Sequence, residues 1–258
     1  MDARILAAEW PLTRLPSPLP TVALWQLDLK DLAEIEEMAA ACLSPEERAR
    51  HAALRHPRDQ LRYAATRTAL RYLLARRLQC EPASLCLVSG AHGKPGLAMA
   101  GAPAFNVSHA GDHAWIAIAD RDAKVGVEGG GEGGVEVGVD IERIDATLTQ
   151  AALRDMAVHC LTARECAWLE AQPADAWPRA FFMLWTAKEA LLKALGIGIA
   201  DHLQHVSVII RAAGDARHAV VPESGLPAAH AAALARTRLY ALAAPDGYAA
   251  AIAWLPPA

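Results

Sequence analysis

Asp140 and Glu142 stand two apart in the segment Val137-Gly138-Val139-Asp140-Ile141-Glu142. On a strand, that spacing aims both carboxylates from one face while Val139 and Ile141 point into a core. Further on, Trp185-Thr186-Ala187-Lys188-Glu189-Ala190-Leu191-Leu192-Lys193 has helical spacing. Trp185, Leu191, Leu192 and Leu195 make an apolar stripe, and Glu189 and Lys193 lie one turn apart on a polar face. Three carboxylates with no soft ligand describe a site for a hard cation such as Mg²⁺, which takes few protein ligands and completes its shell with water and phosphate oxygens. The chemistry indicated is on a phosphate. Taken singly, each stretch has a plainer reading, a solvated edge strand and a stabilising i,i+4 pair. Their occurrence in order with the signals that follow is what points to a site.

Positive charge is gathered elsewhere. Ser44-Pro45-Glu46-Glu47 is a helix start, with Ser44 as N-cap, Pro45 at the first helical position and Glu47 completing a capping box. Arg48, Arg50 and Arg55 follow, and the next helix, from Pro57 to Leu74, carries Arg58, Arg62, Arg67 and Arg71. Most are expected to be snorkelling surface residues. Some are suited to gripping phosphate oxygens as a fork. Nucleic acid is the rival ligand, but the patch is short, has only Tyr63 and Tyr72 as aromatics and has no accompanying nucleic-acid motif. Gly90-Ala91-His92-Gly93-Lys94-Pro95-Gly96 is a turn-rich loop with Lys94 at its tip, and it lacks the spacing of a phosphate-binding Walker loop. In Phe105-Asn106-Val107-Ser108-His109 the polar residues are expected at a strand end or loop. Ser108, His109 and Asp112 make a poor triad, since adjacent Ser and His side chains diverge and no G-x-S-x-G elbow is present.

The elements that must position these groups fit a chain of 258 residues with 53% hydrophobic composition, enough for one large core or two smaller ones. A net charge of -4 gives the whole protein no pull toward nucleic acid or anionic membrane. Apolar runs are broken well before the roughly 20 residues of a membrane helix, and no signal peptide is visible, so the expected location is the cytoplasm. The five cysteines (Cys42, Cys80, Cys86, Cys160 and Cys166) show no C-x-x-C pairing and are expected as reduced thiols.

A proline-spaced arm over residues 1–20 is expected to lie extended over the surface. Strands are predicted over 21–29, 85–88, 115–119, 206–210, 237–242 and 248–254, and helices over 30–41, 153–158, 162–169 and 174–196. Thr162 and Glu165 form a second capping box. The sequence 66–78, 85–88, 115–119 is weakly echoed by 182–195, 206–210, 248–254. Between the echoes a glycine and glutamate run reads as a flexible insertion. This gives an α+β fold of two halves, 1–125 and 137–258, joined through 126–136, each with an antiparallel sheet and a packed long helix. A ligand cleft is expected at their junction.

With these motifs in place, the chain resembles the surfactin-type 4′-phosphopantetheinyl transferases, double-length relatives of holo-acyl-carrier-protein synthase. The resemblance rests on Gly93-Lys94-Pro95, Phe105-Asn106-Val107-Ser108-His109, Gly138-Val139-Asp140-Ile141-Glu142 and Trp185-Thr186-Ala187-Lys188-Glu189 with Lys193, and runs from about Ser44 to Trp254. It implies a pseudo-dimer of α+β halves and a Mg²⁺-dependent transfer of phosphopantetheine from coenzyme A to a serine of an apo acyl or peptidyl carrier protein, in fatty-acid, polyketide or nonribosomal peptide synthesis. The expected form is a monomer with neither a nucleic-acid nor a membrane partner. By the resemblance, Asp140, Glu142 and Glu189 hold the metal, and Lys193 neutralises the leaving phosphate. Glu189 or Glu165 takes the serine proton. Arg50, Arg62 and His109 grip the 3′-phosphate, while Lys94, Pro95 and Ser108 line the nucleotide site. The family often has a basic residue near position 47, where this chain has Glu47, which shifts that contact to Arg48. Two other readings are a non-catalytic coenzyme A module, which has no need of the carboxylates, and a hydrolase using Ser108.

Overall fold

Why the chain builds two sheets follows from where its alternating apolar runs fall. The computed structural model describes residues 11–30, 35–90, 92–119, 134–211 and 216–257. In order, its elements are β1 (Leu12–Leu15), β2 (Val22–Asp28), α1 (Ile35–Cys42), α2 (Pro45–Ala53), α3 (Pro57–Leu78), β3 (Leu87–Ser89), β4 (Pro95–Leu97), β5 (Ala104–Ala110), β6 (His113–Ala119) and β7 (Glu136–Arg143). There follow α4 (Gln150–Cys160), α5 (Ala163–Glu170), α6 (Trp177–Leu195), α7 (Ile199–His202), β8 (Val206–Ile209), β9 (Arg217–Pro222), α8 (Ala228–Arg236), β10 (Arg238–Ala241) and β11 (Tyr248–Leu255). One antiparallel sheet runs β1-β2-β6-β5, a second runs β7-β11-β10-β9-β8, and β3 and β4 form a separate hairpin.

A long helix backs each sheet. Ala65, Ala69, Leu70 and Leu74 of α3 pack with Leu27, Phe105 and Ile116, and Phe181, Leu184, Leu191 and Leu192 of α6 pack with Leu239, Ala251 and Ala253. Each leucine, isoleucine and phenylalanine among them, taken out of water, contributes about 1.5–3 kcal/mol before entropy is counted, and the alanines less. Gly196, in the left-handed region at φ 70°, ends α6.

The edges of the two sheets lie side by side as β5 and β7. No ladder joins them. Instead, side chains of β5 satisfy main-chain donors of β7: the Val139 N–H donates to Asn106 Oδ1 at 2.9 Å, and the Ile141 N–H to Ser108 Oγ at 3.4 Å. Residues two apart on one strand thus serve residues two apart on the other, as the pleat requires. This covers one exposed edge of each sheet, leaving β1 and β8 as the other edges.

Several expectations change. The Asn106–His109 segment is the interior of strand β5, not a loop, because Asn106 and Ser108 have partners across the edge on β7. Leu12–Leu15 of the expected arm pairs with β2. The expected equivalence of 85–88 with 206–210 is not kept, since β3 belongs to the separate hairpin while β8 sits in the five-stranded sheet. Strand β9 and helix α8 were not anticipated. Of the expected insertion 126–136, residues through 133 lie outside those described; Val135 is buried and Glu136 opens β7. The first residues of the helix predicted over 30–41 also fall partly outside. Among the described residues, no helix is long and apolar enough to cross a membrane.

Candidate active site

Strand β7 and helix α6 bring the acidic residues together, and a glycine permits it. A Cβ built on Gly138 would stand 2.0 Å from Ala190 O and 2.6 Å from Ala194 N. No larger residue fits unless α6 backs away. With that approach allowed, Asp140, two residues along β7, meets Lys193 on the last turns of α6. Asp140 is the fifth of eight strand residues and is buried.

Lys193 Nζ lies 2.6 Å from Asp140 Oδ1 and 3.2 Å from Glu189 Oε2. Ser108 Oγ donates to the same Asp140 oxygen at 2.7 Å. Asp140 Oδ2 is buried with no partner. Burial works against the Lys193 ammonium, but Asp140 and then Glu189 outweigh it and hold its pKa above the usual lysine value. Desolvation, then Asp140 and Glu189, pushes the Glu142 carboxyl up to about 7, against partial relief from Lys193 and Trp185. Glu189 is raised as well, by desolvation first and by Asp140 next. One ammonium is too little charge for three carboxylates.

These residues form one end of a cleft of about 360 Å³. The other wall comes from α2 and α3. On α3, Tyr63, Thr66, Arg67 and Leu70 line the cleft at i, i+3, i+4 and i+7, one helical stripe. Arg50 of α2 joins them, and both Arg50 and Arg67 set their guanidinium groups over the Tyr63 ring, at 5.8 and 5.7 Å from its centroid. His109 reaches in from β5. It keeps a solvent-exposed side, yet crowding by the cleft wall, then the charges of Arg62 and Lys193, pulls its pKa below the usual value. Pro95 and Val107 complete the lining.

Of the residues singled out in the sequence, Arg50, Pro95, Ser108, His109, Asp140, Glu142, Glu189 and Lys193 converge on this cleft. Arg62 stands beside His109 without lining it, paired at 3.6 Å with Asp59. Lys94 does not enter the cleft: its ammonium is taken by Glu136 and two carbonyls. Arg48 donates to Leu43 O and does not take over the position-47 contact. Glu47 is buried against Arg71 at 2.7 Å, which removes Arg71 from the basic surface. Glu165 is corrected as a proton acceptor. Fully enclosed, its carboxylate takes Lys188 Nζ at 2.5 Å, Val208 N at 2.7 Å and Thr162 N at 2.8 Å, with no path to the cleft. Asp112 is held by Arg58 and Ser108 by Asp140, so no triad forms. Arg67 and Thr66 were missed as lining residues, although their i+3/i+4 spacing from Tyr63 was there to be read.

Among the described residues no three His, Cys, Asp or Glu side chains are already gathered into a metal cage. The donor set itself fits a hard cation: all oxygen, with an orphaned buried carboxylate oxygen and two neighbours whose pKa values are raised first by burial and then by the other carboxylates.

Comparison with known proteins places this geometry. Residues 136–253 match the 4′-phosphopantetheinyl transferase superfamily, and residues 30–121 match the family described as 4′-phosphopantetheinyl transferase, N-terminal. A putative 4′-phosphopantetheinyl transferase of Synechocystis is 34% identical over 216 residues, covering 83% of this chain and 80% of that one. The chain belongs to the 4′-phosphopantetheinyl transferase family. The transferase HetI of Nostoc is 30% identical, over 73% of this chain and 74% of its own, and the Bacillus subtilis 4′-phosphopantetheinyl transferase 26%, over 68% and 70%. A solved holo-(acyl-carrier-protein) synthase from Bacillus anthracis overlaps 48% of this transferase and 96% of its own chain at 18% identity and a TM-score of 0.36, a likeness too slight to add to the assignment.

Proposed function

We propose that this transferase moves the 4′-phosphopantetheine arm of coenzyme A onto a serine hydroxyl of an apo acyl or peptidyl carrier protein, in the manner of the surfactin-type enzymes. The observation that carries the reading is the division of charge in the cleft: Arg50 and Arg67 from α2 and α3, His109 reaching in from β5, and Asp140, Glu142, Glu189 and Lys193 from β7 and α6. A ligand with one terminal phosphate and a separate diphosphate suits that division. Arginine forks over Tyr63 grip the 3′-phosphate, and the diphosphate lies toward the acidic end, where bare carboxylates would repel it. Asp140, Glu142 and Glu189 would hold Mg²⁺, which when bound supplies the missing positive charge. Their presence also sets the chain apart from a binding module without catalysis.

In the transfer, the serine oxygen bonds to the phosphorus that bears the pantetheine arm. The bond from that phosphorus to the bridging oxygen breaks, and adenosine 3′,5′-bisphosphate leaves. Lys193 stands where negative charge grows on the leaving phosphate. Ser108 and Lys193 orient Asp140 through their shared oxygen. With Glu165 enclosed, Glu189 is the acceptor that remains for the serine proton, and Mg²⁺ would lower the basicity of any carboxylate that holds it. The two sheets, each backed by a long helix, support an organisation of two α+β halves with the cleft between them; the working form belonging to this proposal is a monomer in the cytoplasm.

Incubation with coenzyme A, MgCl₂ and a panel of apo acyl, polyketide and peptidyl carrier proteins tests this by intact mass. Addition of one phosphopantetheine to at least one carrier is expected, lost when its serine is replaced by alanine. Failure across the panel, with no binding of coenzyme A by calorimetry, would refute it.

A further inference from the structure

Lys94 sits at the tip of the β3–β4 hairpin, in a turn closed by Gly90 N–H donating to Lys94 O at 2.8 Å, with Gly93 in the left-handed region at φ 76°. The turn throws its side chain away from the cleft and across to the other sheet. There the ammonium lies 2.7 Å from Glu136 Oε2, 3.1 Å from Val137 O and 2.8 Å from Lys193 O. An ammonium has three N–H donors, and all three are met.

Each acceptor has a reason to want this cation. Lys193 O belongs to the last turn of α6, where carbonyls have no partner within the helix and carry its negative end. The one basic residue in that turn is Lys193, whose side chain is turned to Asp140 and Glu189 instead. Lys94 therefore caps α6 from a distant part of the chain. Val137 O is on β7, three residues before Asp140, and Glu136 opens the same strand. The neighbour on the hairpin side, Pro95, lines the cleft. A single side chain thus ties together the hairpin wall, the start of the strand bearing Asp140 and Glu142, and the helical turn bearing Lys193.

We propose that Lys94 is a positioning residue, a clasp that fixes Pro95 and the Lys193 turn around the reacting groups and makes no contact of its own with coenzyme A. The inference rests on the reading of the cleft as the coenzyme A site. Loosening the clasp lets the end of α6 drift relative to β7, and displacement of a reacting group by about 1 Å costs on the order of a hundredfold in rate. Binding at the Arg50 and Arg67 wall, on other elements, is left alone.

The test compares Lys94→Met, Glu136→Gln, the double variant and Lys94→Arg in the full chain, reading kcat, KM for coenzyme A, coenzyme A affinity by calorimetry and the thermal midpoint. For Lys94→Met the clasp gives a fall in kcat of roughly ten- to a hundredfold with coenzyme A affinity changed by less than about threefold. Glu136→Gln gives a smaller fall in the same sense, since two carbonyl acceptors remain. The double variant behaves as Lys94→Met alone in both kcat and midpoint, and Lys94→Arg recovers part of kcat. A tenfold or greater loss of coenzyme A affinity in Lys94→Met, with Glu136→Gln unaffected and the two effects additive, overturns the clasp and makes Lys94 a ligand contact. Coupling in the midpoint is read without turnover. Its absence sinks the clasp, and its presence without transfer to any carrier protein leaves the clasp standing while sinking the proposed reaction.

Discussion

Helix α6 carries two lysine and carboxylate clusters five residues apart, and they are built on opposite terms. Lys188 faces Glu165 in a fully enclosed pair, 2.5 Å apart, with Val206 O at 2.7 Å as a further acceptor for the ammonium and two main-chain donors on the carboxylate. Charge there is one to one and every oxygen is engaged. Lys193, about 140° around the helix at 100° per residue, faces Asp140 and Glu189 at the cleft, with Glu142 close by and one Asp140 oxygen unmet. The saturated cluster can only hold the fold together. The unsaturated one has affinity left over for a cation and a phosphate. Glu47 and Arg71 repeat the pairing of a capping-box glutamate with a cation of a long helix, 2.7 Å apart, but without the saturation: Glu47 Oε1 has no hydrogen-bond partner and only Arg67 near it, at 3.9 Å.

The contrast breaks most plainly at Lys188. Lys188→Met leaves the Glu165 charge buried and unpaired, and a loss of about 3–5 kcal/mol is expected by denaturant unfolding. Lys188→Met with Glu165→Met should recover most of that loss and keep transfer activity per folded molecule. A stable but inactive Lys188→Met protein would move the saturated pair into the catalytic machinery and erase the distinction.

At the open cluster the expectation reverses. Asp140→Asn should lower kcat/KM by about 10²–10³, the scale of removing one preorganised electrostatic group. Its stability should move by no more than about 1–2 kcal/mol, because the amide retains an acceptor for Ser108 and Lys193. Activity is read by carrier-protein mass and stability by the same unfolding assay; turnover near wild type would remove Asp140 from the site.

The smallest effect is a pH dependence confined to the open cluster. Glu142 titrates near 7 in the folded chain against an ordinary 4.5, so between those values the folded state holds a proton that the unfolded chain has released. Metal-free stability should therefore decline as pH rises from 4.5 toward 7 and level off above it. Mg²⁺ competes with that proton, so the stabilisation it confers should be larger at pH 8 than at pH 5.5. Thermal midpoints with and without MgCl₂ at the two values sharpen the comparison, and equal shifts at both would count against Glu142 as a ligand.

Read from sequence, Asp140, Glu142, Glu189 and Lys193 were legible because strand and helix periods fix which side chains share a face, whatever the rest of the chain does. The capping boxes at Ser44 and Thr162 were legible for the same reason, being local in four residues. Glu165 misled because a capping-box glutamate looks the same facing a cleft or sealed in a core; what decided it was Lys188, 23 residues away, and strand β8. Segment 106–109 looked like a loop because the partners of its polar groups, 32 and 33 residues on, are invisible to a local pattern.

The two long helices and the acidic groups of the cleft were thus legible in the sequence through short-range periodicity, and the family through the resemblance its motifs carry. Tertiary structure alone decided which charges are used up and which remain available. Lys94 was sent to Glu136 and the end of α6, Arg71 to Glu47 and Lys188 to Glu165, while Asp140 kept an unmet oxygen. The physical reason is that a charged group's role depends on the partners and solvent around it, and these are set by contacts between residues far apart in the chain.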